Sequence, residues 1–316
     1  MSVASILEDA SAFWIPTPMA RALENRIEAW VRCGHTGGLI IGEARLGKTK
    51  AVKALQHRLQ NRSGQPIQVL YTHYGLRDVE TIRAVFAKVA RALDFEVQRK
   101  TADVLLENIV IRLTDAALAN DTRQVVLIVD EAQLLTIDQL NAFAEIYNDL
   151  VNVHINCSVF FIANQDQFHS LGKALLRAEN RYLRERFFNN FDYFFGIRSE
   201  GELKDCLHEY DNLIVSESPP LCATEYFCPA LYRQGWRLAD IAPLYWRHYR
   251  ERYGIPLGLT SWGMAQFTRA TNLLLMDYLP GCADRTNLAM LEACVVKSLE
   301  GAGIAPSLVS LVGNPG

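Results

Sequence analysis

The amino-acid sequence predicts an α/β fold in which a five-stranded parallel sheet lies between two layers of helices, followed by a small helical domain. Up to about Ser199, short apolar segments alternate with segments whose apolar residues recur at helical spacing. Beyond that residue the pattern is helical, with breaks at prolines and glycines. We therefore expect an N-terminal arm over residues 1–21, an α/β domain over 22–199, and a helical lid and tail over 200–316.

Five apolar segments are the predicted strands of the three-layer α/β/α domain. The segment from Val125 to Val129 is continuously apolar, which is typical of a strand covered on both faces in a parallel sheet. The complete set is Gly38–Ile41, Ile67–Thr72, Val125–Val129, Cys157–Ala163 and Phe191–Ile197.

Helices are predicted between these strands and throughout the final part. The segment from Asp78 to Leu93 carries apolar residues at helical spacing. Another helix is expected to run from the glycine-rich loop after the first strand to about Arg62. The remaining predictions are Pro18–Cys33, Ala102–Ala119, a helix ending near Leu150, and Trp262–Asp277.

The composition is that of an ordinary globular chain, because half of its 316 residues are hydrophobic and 21% are charged. The formal net charge of −3 implies that any nucleic-acid contact needs a local basic patch. Seven irregularly spaced cysteines favour reduced core thiols over a disulfide framework or a zinc site. The first residues lack the basic region of a signal peptide, and we expect a cytoplasmic protein without a membrane span.

A glycine-rich loop follows the first predicted strand and matches the pattern GxxxxGK[ST] in full. In such loops, backbone N–H groups at a helix start point toward phosphates. Lys48 would place a positive charge at the β and γ phosphates, and Thr49 would offer a hydroxyl to Mg²⁺. A chance match is the alternative, and the strand before the loop favours phosphate binding. The candidate residues are Gly42, Glu43, Ala44, Arg45, Leu46, Gly47, Lys48, Thr49 and Lys50.

Two further polar sites follow buried strands. Asp130 comes directly after Val129 and can reach the Mg²⁺ shell, while Glu131 can polarise an attacking water. An ordinary acidic cap of the next helix is the alternative. Asn164 follows the fourth strand and can touch the γ-phosphate or the water, with Gln165 as a neighbouring candidate. A polar turn residue is the alternative for this position.

Basic residues on and near the predicted helix at Asp78–Leu93 are candidates for contacts to a DNA phosphate backbone. They lie opposite or beside its apolar stripe, and a solvated helix face is the reading that the residue pattern itself favours. His73 and Tyr74 after the second strand could face a pore, although Tyr74 could equally be a packed loop aromatic. The DNA-binding candidates are Arg77, Arg83, Lys88, Arg91, Arg99 and Lys100.

Over about residues 13–280, these motifs resemble those of an AAA+ ATPase. The resemblance rests on Ile15-Pro16-Thr17-Pro18 in the arm, the glycine loop, Asp130-Glu131, Asn164 and an Arg-Phe element before the fifth strand. It implies that ATP and Mg²⁺ are the cofactors, that Ile15 and Thr17 help to hold the adenine, and that Asn164 is sensor 1.

The resemblance also implies residues that act from a distance. An arginine before the fifth strand, Arg184 or Arg186 with Arg181 nearby, would reach the γ-phosphate in a neighbouring subunit. The alternative is a solvated basic helix end, which suits the helix dipole. Arg269 could serve as sensor 2 in the lid, or it could be a surface arginine.

The chain length, arm and lid more specifically resemble transposition regulators of the TnsC/TniB type. That resemblance implies a homo-oligomeric ring or helical filament that assembles with ATP on double-stranded DNA, links a target-selector protein to the transposase, and disassembles after hydrolysis. Two other functions remain open, which are a loader or adaptor ATPase that remodels a protein partner and a nucleotide-gated switch. Arg45 departs from the family pattern by placing a cation inside the phosphate loop.

Overall fold

The computed structural model describes Leu7, residues 13–76 and residues 81–304. Their contacts divide the chain into two compact units. The α/β unit consists of Ala22–Ala44 and Lys48–Phe194. The helical unit contains the described residues up to Arg21, the segment Arg45–Gly47 and the described residues from Phe195 onward. The arm therefore groups with the helices that follow the sheet, which the sequence did not indicate.

The α/β unit is built on a parallel sheet of five strands in the order β2-β3-β4-β1-β5, which confirms the predicted fold class. The strands are β1 (Gly37–Gly42), β2 (Gln68–His73), β3 (Gln124–Asp130), β4 (Asn156–Asn164) and β5 (Phe191–Tyr193).

The register brings several functional positions to one edge of this sheet. Gly42 at the end of β1 pairs with Asn164 at the end of β4. His73 at the end of β2 pairs with Asp130 at the end of β3. Because all strands run in the same direction, the carboxyl ends that carry the motifs converge.

Three helices of the α/β unit begin at a threonine cap. The Thr81 and Thr101 side chains accept hydrogen bonds from backbone N–H groups three residues ahead, and Thr136 forms a capping box with Gln139. The helix bounds are Pro18–Arg32, Lys48–Ala54, Ile82–Ala92, Ala102–Ala119, Ile137–Asn152, His169–Leu175 and Arg181–Phe187.

Three sequence predictions about element bounds need correction in the α/β unit. The helix after the glycine loop ends at Ala54 and continues as a 3₁₀ turn to His57, so it does not reach Arg62. The next predicted helix begins at Ile82, because Thr81 caps it, and Asp78 lies outside the described residues. The fifth strand ends at Tyr193, four residues earlier than predicted.

The helical unit contains six helices within the described residues, together with a hairpin. Helices dominate this region, as predicted, and the structure adds one short hairpin in which β6 (Ile214–Glu217) pairs antiparallel with β7 (Pro220–Cys222). A strand of three or four residues is too short to show a period-two pattern against its neighbours. The helices are Glu200–Asn212, Ala223–Phe227, Pro229–Arg233, Ala242–Tyr249, Met264–Leu273 and Leu288–Gly301.

Aromatic side chains form the centre of the helical unit. Trp262 is fully buried and stacks on Tyr249, with ring centroids 4.2 Å apart and planes 7° apart. Tyr245 and Phe267 meet the same indole edge-on, at centroid distances of 5.2 Å and 5.5 Å. Offset and edge-to-face contacts of this kind add to the stabilisation from burial.

All seven cysteines are free thiols, and all except Cys33 are buried, as expected of core cysteines. None of the helices in the described part of the chain combines the length and the apolar character needed to span a bilayer.

A buried carboxylate joins three segments of the helical unit. Asp211 Oδ1 accepts hydrogen bonds from Thr224 Oγ1 at 2.6 Å and from the Leu238 amide at 2.8 Å. Its Oδ2 accepts from the Ala239 amide at 3.1 Å. Asp211 thus satisfies the first donors of the turn that begins at Leu238.

We predict that Asp211→Ala lowers the free energy of unfolding by about 2–4 kcal/mol, because it leaves buried N–H donors without an acceptor. Chemical denaturation followed by circular dichroism would measure this loss. Asp205→Ala on the same helix is the matched control, since that carboxylate is exposed, and it should change the free energy by less than about 0.5 kcal/mol. Equal effects of the two substitutions would contradict the assigned role of Asp211.

Candidate functional site

Lys48 is the first residue of the helix that leaves the glycine loop. Its ammonium is largely buried and donates to the carbonyl of Gly42 at 2.7 Å and to that of Glu43. Burial lowers the pKa of Lys48, and the neighbouring carboxylates, with Glu131 foremost, oppose that shift. The ammonium is therefore held inside the loop, where phosphate oxygens of a nucleotide can replace the two carbonyls.

The loop backbone adopts the left-handed region at two positions. Gly47 has φ of +97°, and a Cβ there would approach the Met264 side chain to 3.3 Å. Arg45 adopts φ of +64°, which costs a residue with a side chain on the order of 1 kcal/mol. Exposed Arg45 is therefore held in a strained conformation at the tip of the predicted phosphate loop.

Asp130 accepts three hydrogen bonds in a buried position at the end of β3. Its Oδ2 accepts from Thr49 Oγ1 at 2.7 Å and from the Tyr71 hydroxyl at 2.8 Å, and its Oδ1 accepts from the Glu131 amide at 2.9 Å. Because the Thr49 proton is directed at Asp130, the lone pairs of that hydroxyl point elsewhere and suit a hard cation such as Mg²⁺. The two sequence motifs are thus joined directly.

Tyr71 is a functional candidate that sequence reasoning missed. It lies on β2, beside the strand that carries Asp130. Burial and the adjacent carboxylate of Asp130 raise the pKa of Tyr71 far above its usual range, so its hydroxyl stays protonated and donates. The Lys53 ammonium lies 4.9 Å from the centroid of its ring. The sequence contains one indication of this role, which is that Tyr71 lies in the predicted strand before the strand that leads to Asp130.

Glu131 has a left-handed backbone, with φ of +59°. Its Oε2 accepts a hydrogen bond from Gln133 Nε2 at 2.5 Å. The same nitrogen donates to Gln167 Oε1 at 3.3 Å, and Gln133 Oε1 accepts from the Asn164 amide at 2.9 Å. Gln133 was not predicted as a site residue, although it lies two residues after Glu131.

Asn164 ends β4 at the same edge of the sheet as the glycine loop. Its Oδ1 accepts from the Asp166 amide at 3.3 Å and so caps the short turn Gln165–Gln167. The predicted position beside the loop and Asp130-Glu131 fits this register, and the role of sensor 1 stays a prediction. Gln165 is exposed.

Each of the three arginines before β5 makes a contact within the chain. Arg184 donates to the Leu175 carbonyl at 3.0 Å, and the Arg186 guanidinium lies 5.0 Å from the centroid of the Tyr147 ring. Arg181 pairs with Glu185 on the exposed surface. The choice between Arg184 and Arg186 for a contact in trans stays a prediction.

The DNA-binding candidates divide into two groups. Arg83 donates to the carbonyls of Lys100 at 3.0 Å and of Val97 at 3.4 Å. Two ammonium groups lie over aromatic rings, Lys88 over Tyr74 at 4.5 Å and Lys100 over Phe95 at 5.9 Å. The other group is Arg91 and Arg99, which are exposed, and Arg77, which lies outside the described residues.

Of the two pore candidates, His73 ends β2 and Tyr74 follows it; Tyr74 is only 2% exposed and packs edge-on against Phe143. It is therefore a packed aromatic, which was one of the two alternatives, whereas His73 is exposed.

Three predicted nucleotide contacts belong to the helical unit. Ile15 and Thr17 are buried, and Thr17 Oγ1 accepts from the Ala20 amide at the start of a helix. Arg269 Nη1 donates to the Ala302 carbonyl at 3.0 Å. These contacts stabilise the unit itself, and the proposed roles in binding adenine and phosphate stay predictions.

A family model described as "AAA domain" matches residues 32–171, a range that includes the glycine loop, Asp130-Glu131 and Asn164. No curated protein sequence matches the chain. Among solved structures, the chain is similar to the ORC2 protein of Aeropyrum pernix in ADPNP–ADP complexes, at 14% identity and a TM-score of 0.54. That similarity covers 93% of this chain and 71% of the archaeal one.

The chain is also similar to a chain of Drosophila ORC bound to DNA, at 12% identity and a TM-score of 0.52, over 94% of this chain and 70% of that one. At such identities the similarity defines the fold. The strand order, the loop and the family match together establish a P-loop α/β fold of the AAA+ type.

We predict that Tyr71→Phe lowers the affinity for ATP in the presence of Mg²⁺ by roughly 10-fold, because Asp130 loses a hydrogen-bond donor that orients it. Isothermal titration with ATP at several Mg²⁺ concentrations would measure the change, while binding without Mg²⁺ should be retained. Tyr226→Phe, which alters an exposed tyrosine of the helical unit, is the control. An unchanged Mg²⁺ requirement in Tyr71→Phe would show that its hydrogen bond does not act on the metal site.

Proposed function

We propose that this chain is an ATPase that binds ATP and Mg²⁺ at the carboxyl edge of its sheet and hydrolyses ATP within an oligomer. The observation that carries the proposal is the set of hydrogen bonds at Asp130. Thr49 from the phosphate loop donates to this carboxylate, and Glu131 follows it in the chain. The candidate metal ligands Thr49 and Asp130 are therefore in direct contact, and the candidate base comes next in the chain.

The proposed reaction is the attack of water on the γ-phosphate. Loop N–H groups and Lys48 would hold the phosphates, and Thr49 and Asp130 would hold Mg²⁺, which would supply positive charge at the transferring group. Glu131 orients and polarises the attacking water, with Asn164 at the end of the adjacent strand as its partner at the γ-phosphate. The products are ADP and inorganic phosphate.

The active assembly in this proposal includes neighbouring subunits. An arginine from one subunit would stabilise charge on the phosphoryl group bound by the next, in the manner of an arginine finger. Arg184 and Arg186 are the candidates, and both leave part of their side chains accessible to solvent. ATP binding then favours assembly, and hydrolysis favours disassembly.

The proposed ligand of the assembly is double-stranded DNA. One of the similar solved structures is a complex bound to DNA. Arg91 and Arg99 are exposed cations on a chain whose net charge is −3, so their contribution would be local. Following the resemblance to TnsC/TniB-type regulators, we propose that rings or filaments on DNA link a target selector to a transposase.

We predict that rings or filaments form only when both duplex DNA and a non-hydrolysable ATP analogue are present. Negative-stain electron microscopy at low salt would detect them. Glu131→Gln should form the same assemblies with ATP itself and retain them, because the water is no longer activated. Lys48→Ala is the control that should not assemble.

The absence of assemblies at low salt with both ligands would sink the DNA-binding proposal. Assemblies that need the nucleotide but ignore DNA would instead favour a loader or adaptor that acts on a protein partner.

We predict that Lys48→Ala and the finger variant, Arg184→Ala or Arg186→Ala, are each inactive alone and regain ATP turnover when mixed. Lys48→Ala subunits do not assemble by themselves, because they bind no ATP. In the mixture, such a subunit supplies its arginine at an interface where the neighbour binds the ATP. An equal mixture should recover about one quarter of wild-type activity, since a finger acts only on the adjacent site. A phosphate-release assay would measure this recovery. A double variant that carries both substitutions in one chain should remain inactive when it is assayed alone.

A further inference from the structure

We propose that Gln133 is a positioning residue that orients the Glu131 carboxylate and couples it to the end of β4. This inference rests on the ATPase function proposed above. It is based on the Gln133 side-chain amide, whose oxygen and nitrogen both form hydrogen bonds. Gln133 is only 8% exposed and lies in the one-turn 3₁₀ segment Ala132–Leu134 directly after Glu131.

The orientation of this amide follows from its neighbours. The Asn164 backbone N–H can only donate, so the Gln133 atom 2.9 Å from it must be the oxygen. The nitrogen then faces Glu131 Oε2 and Gln167 Oε1, and both are acceptors. The reversed amide would place its oxygen against a carboxylate and its nitrogen against an N–H group. The assigned orientation satisfies all three contacts, whereas the reversed amide would lose those to the Asn164 N–H and to the Glu131 carboxylate.

This contact restricts a carboxylate whose backbone is already constrained. Glu131 has φ of +59°, and its carbonyl accepts from the Leu134 amide at 3.0 Å, which closes the turn. The hydrogen bond from Gln133 engages Oε2 and leaves Oε1 for a water molecule.

The second half of the contact reaches the strand that ends in Asn164. The Gln133 oxygen holds the amide of Asn164, and its nitrogen also meets the side chain of Gln167 in the turn that Asn164 caps. A displacement of Asn164 by the γ-phosphate would therefore be transmitted to Glu131 through one rigid amide. Gln133 acts only through Glu131 and Asn164.

We predict that Gln133→Met lowers kcat by roughly 10- to 100-fold while KM and the Kd for a fluorescent ATP analogue stay close to wild type. Methionine has a similar length and fills the buried site, but it neither donates nor accepts strongly. Gln133→Glu should lower kcat to a similar extent, because it retains an oxygen for the Asn164 amide but presents an oxygen to Glu131. An unchanged kcat in Gln133→Met would overturn the inference.

Hydrogen exchange of the Asn164 amide provides a readout that does not depend on activity. It should become faster in Gln133→Met, where its acceptor is lost, and remain slow in Gln133→Glu, where an acceptor is retained. Exchange that is as slow in Gln133→Met as in wild type would also overturn the inference, because the Asn164 contact would not depend on this side chain.

Gln139→Ala is the matched control for a merely structural effect. Gln139 is buried and closes the capping box of the next helix. Its loss should lower the Tm while kcat is retained, so a kcat effect confined to the Gln133 variants separates positioning from stability. If the wild-type assembly shows no ATP turnover, the proposed function fails. If the wild-type protein and the Gln133→Met variant turn over ATP at the same rate, only this inference fails.

Discussion

The buried carboxylate of Asp130 is the point on which the candidate site depends. A buried charge is costly unless donors surround it, and this one receives hydrogen bonds from a loop threonine, a neighbouring strand and the next backbone amide. The Thr49 and Tyr71 donors come from two other elements of the α/β unit, while the Glu131 amide is adjacent in the chain. The fold of the sheet brings these groups together, so the same packing that forms the sheet also supplies the donors that the buried carboxylate needs.

The elements and residues that follow strong local rules could be predicted from sequence. The core strands at β3 and β4 are long apolar runs, and the phosphate loop is defined by glycine spacing and by its position between a strand and a helix. Asp130, Glu131 and Asn164 were predicted as site residues because polar residues at strand ends converge in a parallel sheet. The β6–β7 hairpin escaped prediction because its strands are short and its pairing includes an irregularity.

Side-chain partners were beyond the reach of the sequence. Tyr71 and Gln133 are ordinary residues for a strand and a turn, and their importance comes from where their hydroxyl and amide groups point. The sequence likewise could not show which of the predicted DNA-binding cations already have partners within the chain. Arg83 and Lys88 have the spacing of a phosphate-binding row, yet Arg83 holds two loop carbonyls and Lys88 lies over an aromatic ring. Periodicity identifies a face of a helix, whereas tertiary structure assigns each cation its partner.

The short length of β5 affects whether other strands can pair with this edge of the sheet. An edge strand with free N–H and carbonyl groups can recruit a foreign strand and seed aggregation. Here the edge is three residues long, and the central one, Asp192, is paired with Arg26 at 2.8 Å. A charged and truncated edge offers little to β-sheet extension. The assembly proposed above should therefore not involve continuous backbone pairing at the β5 edge of the sheet.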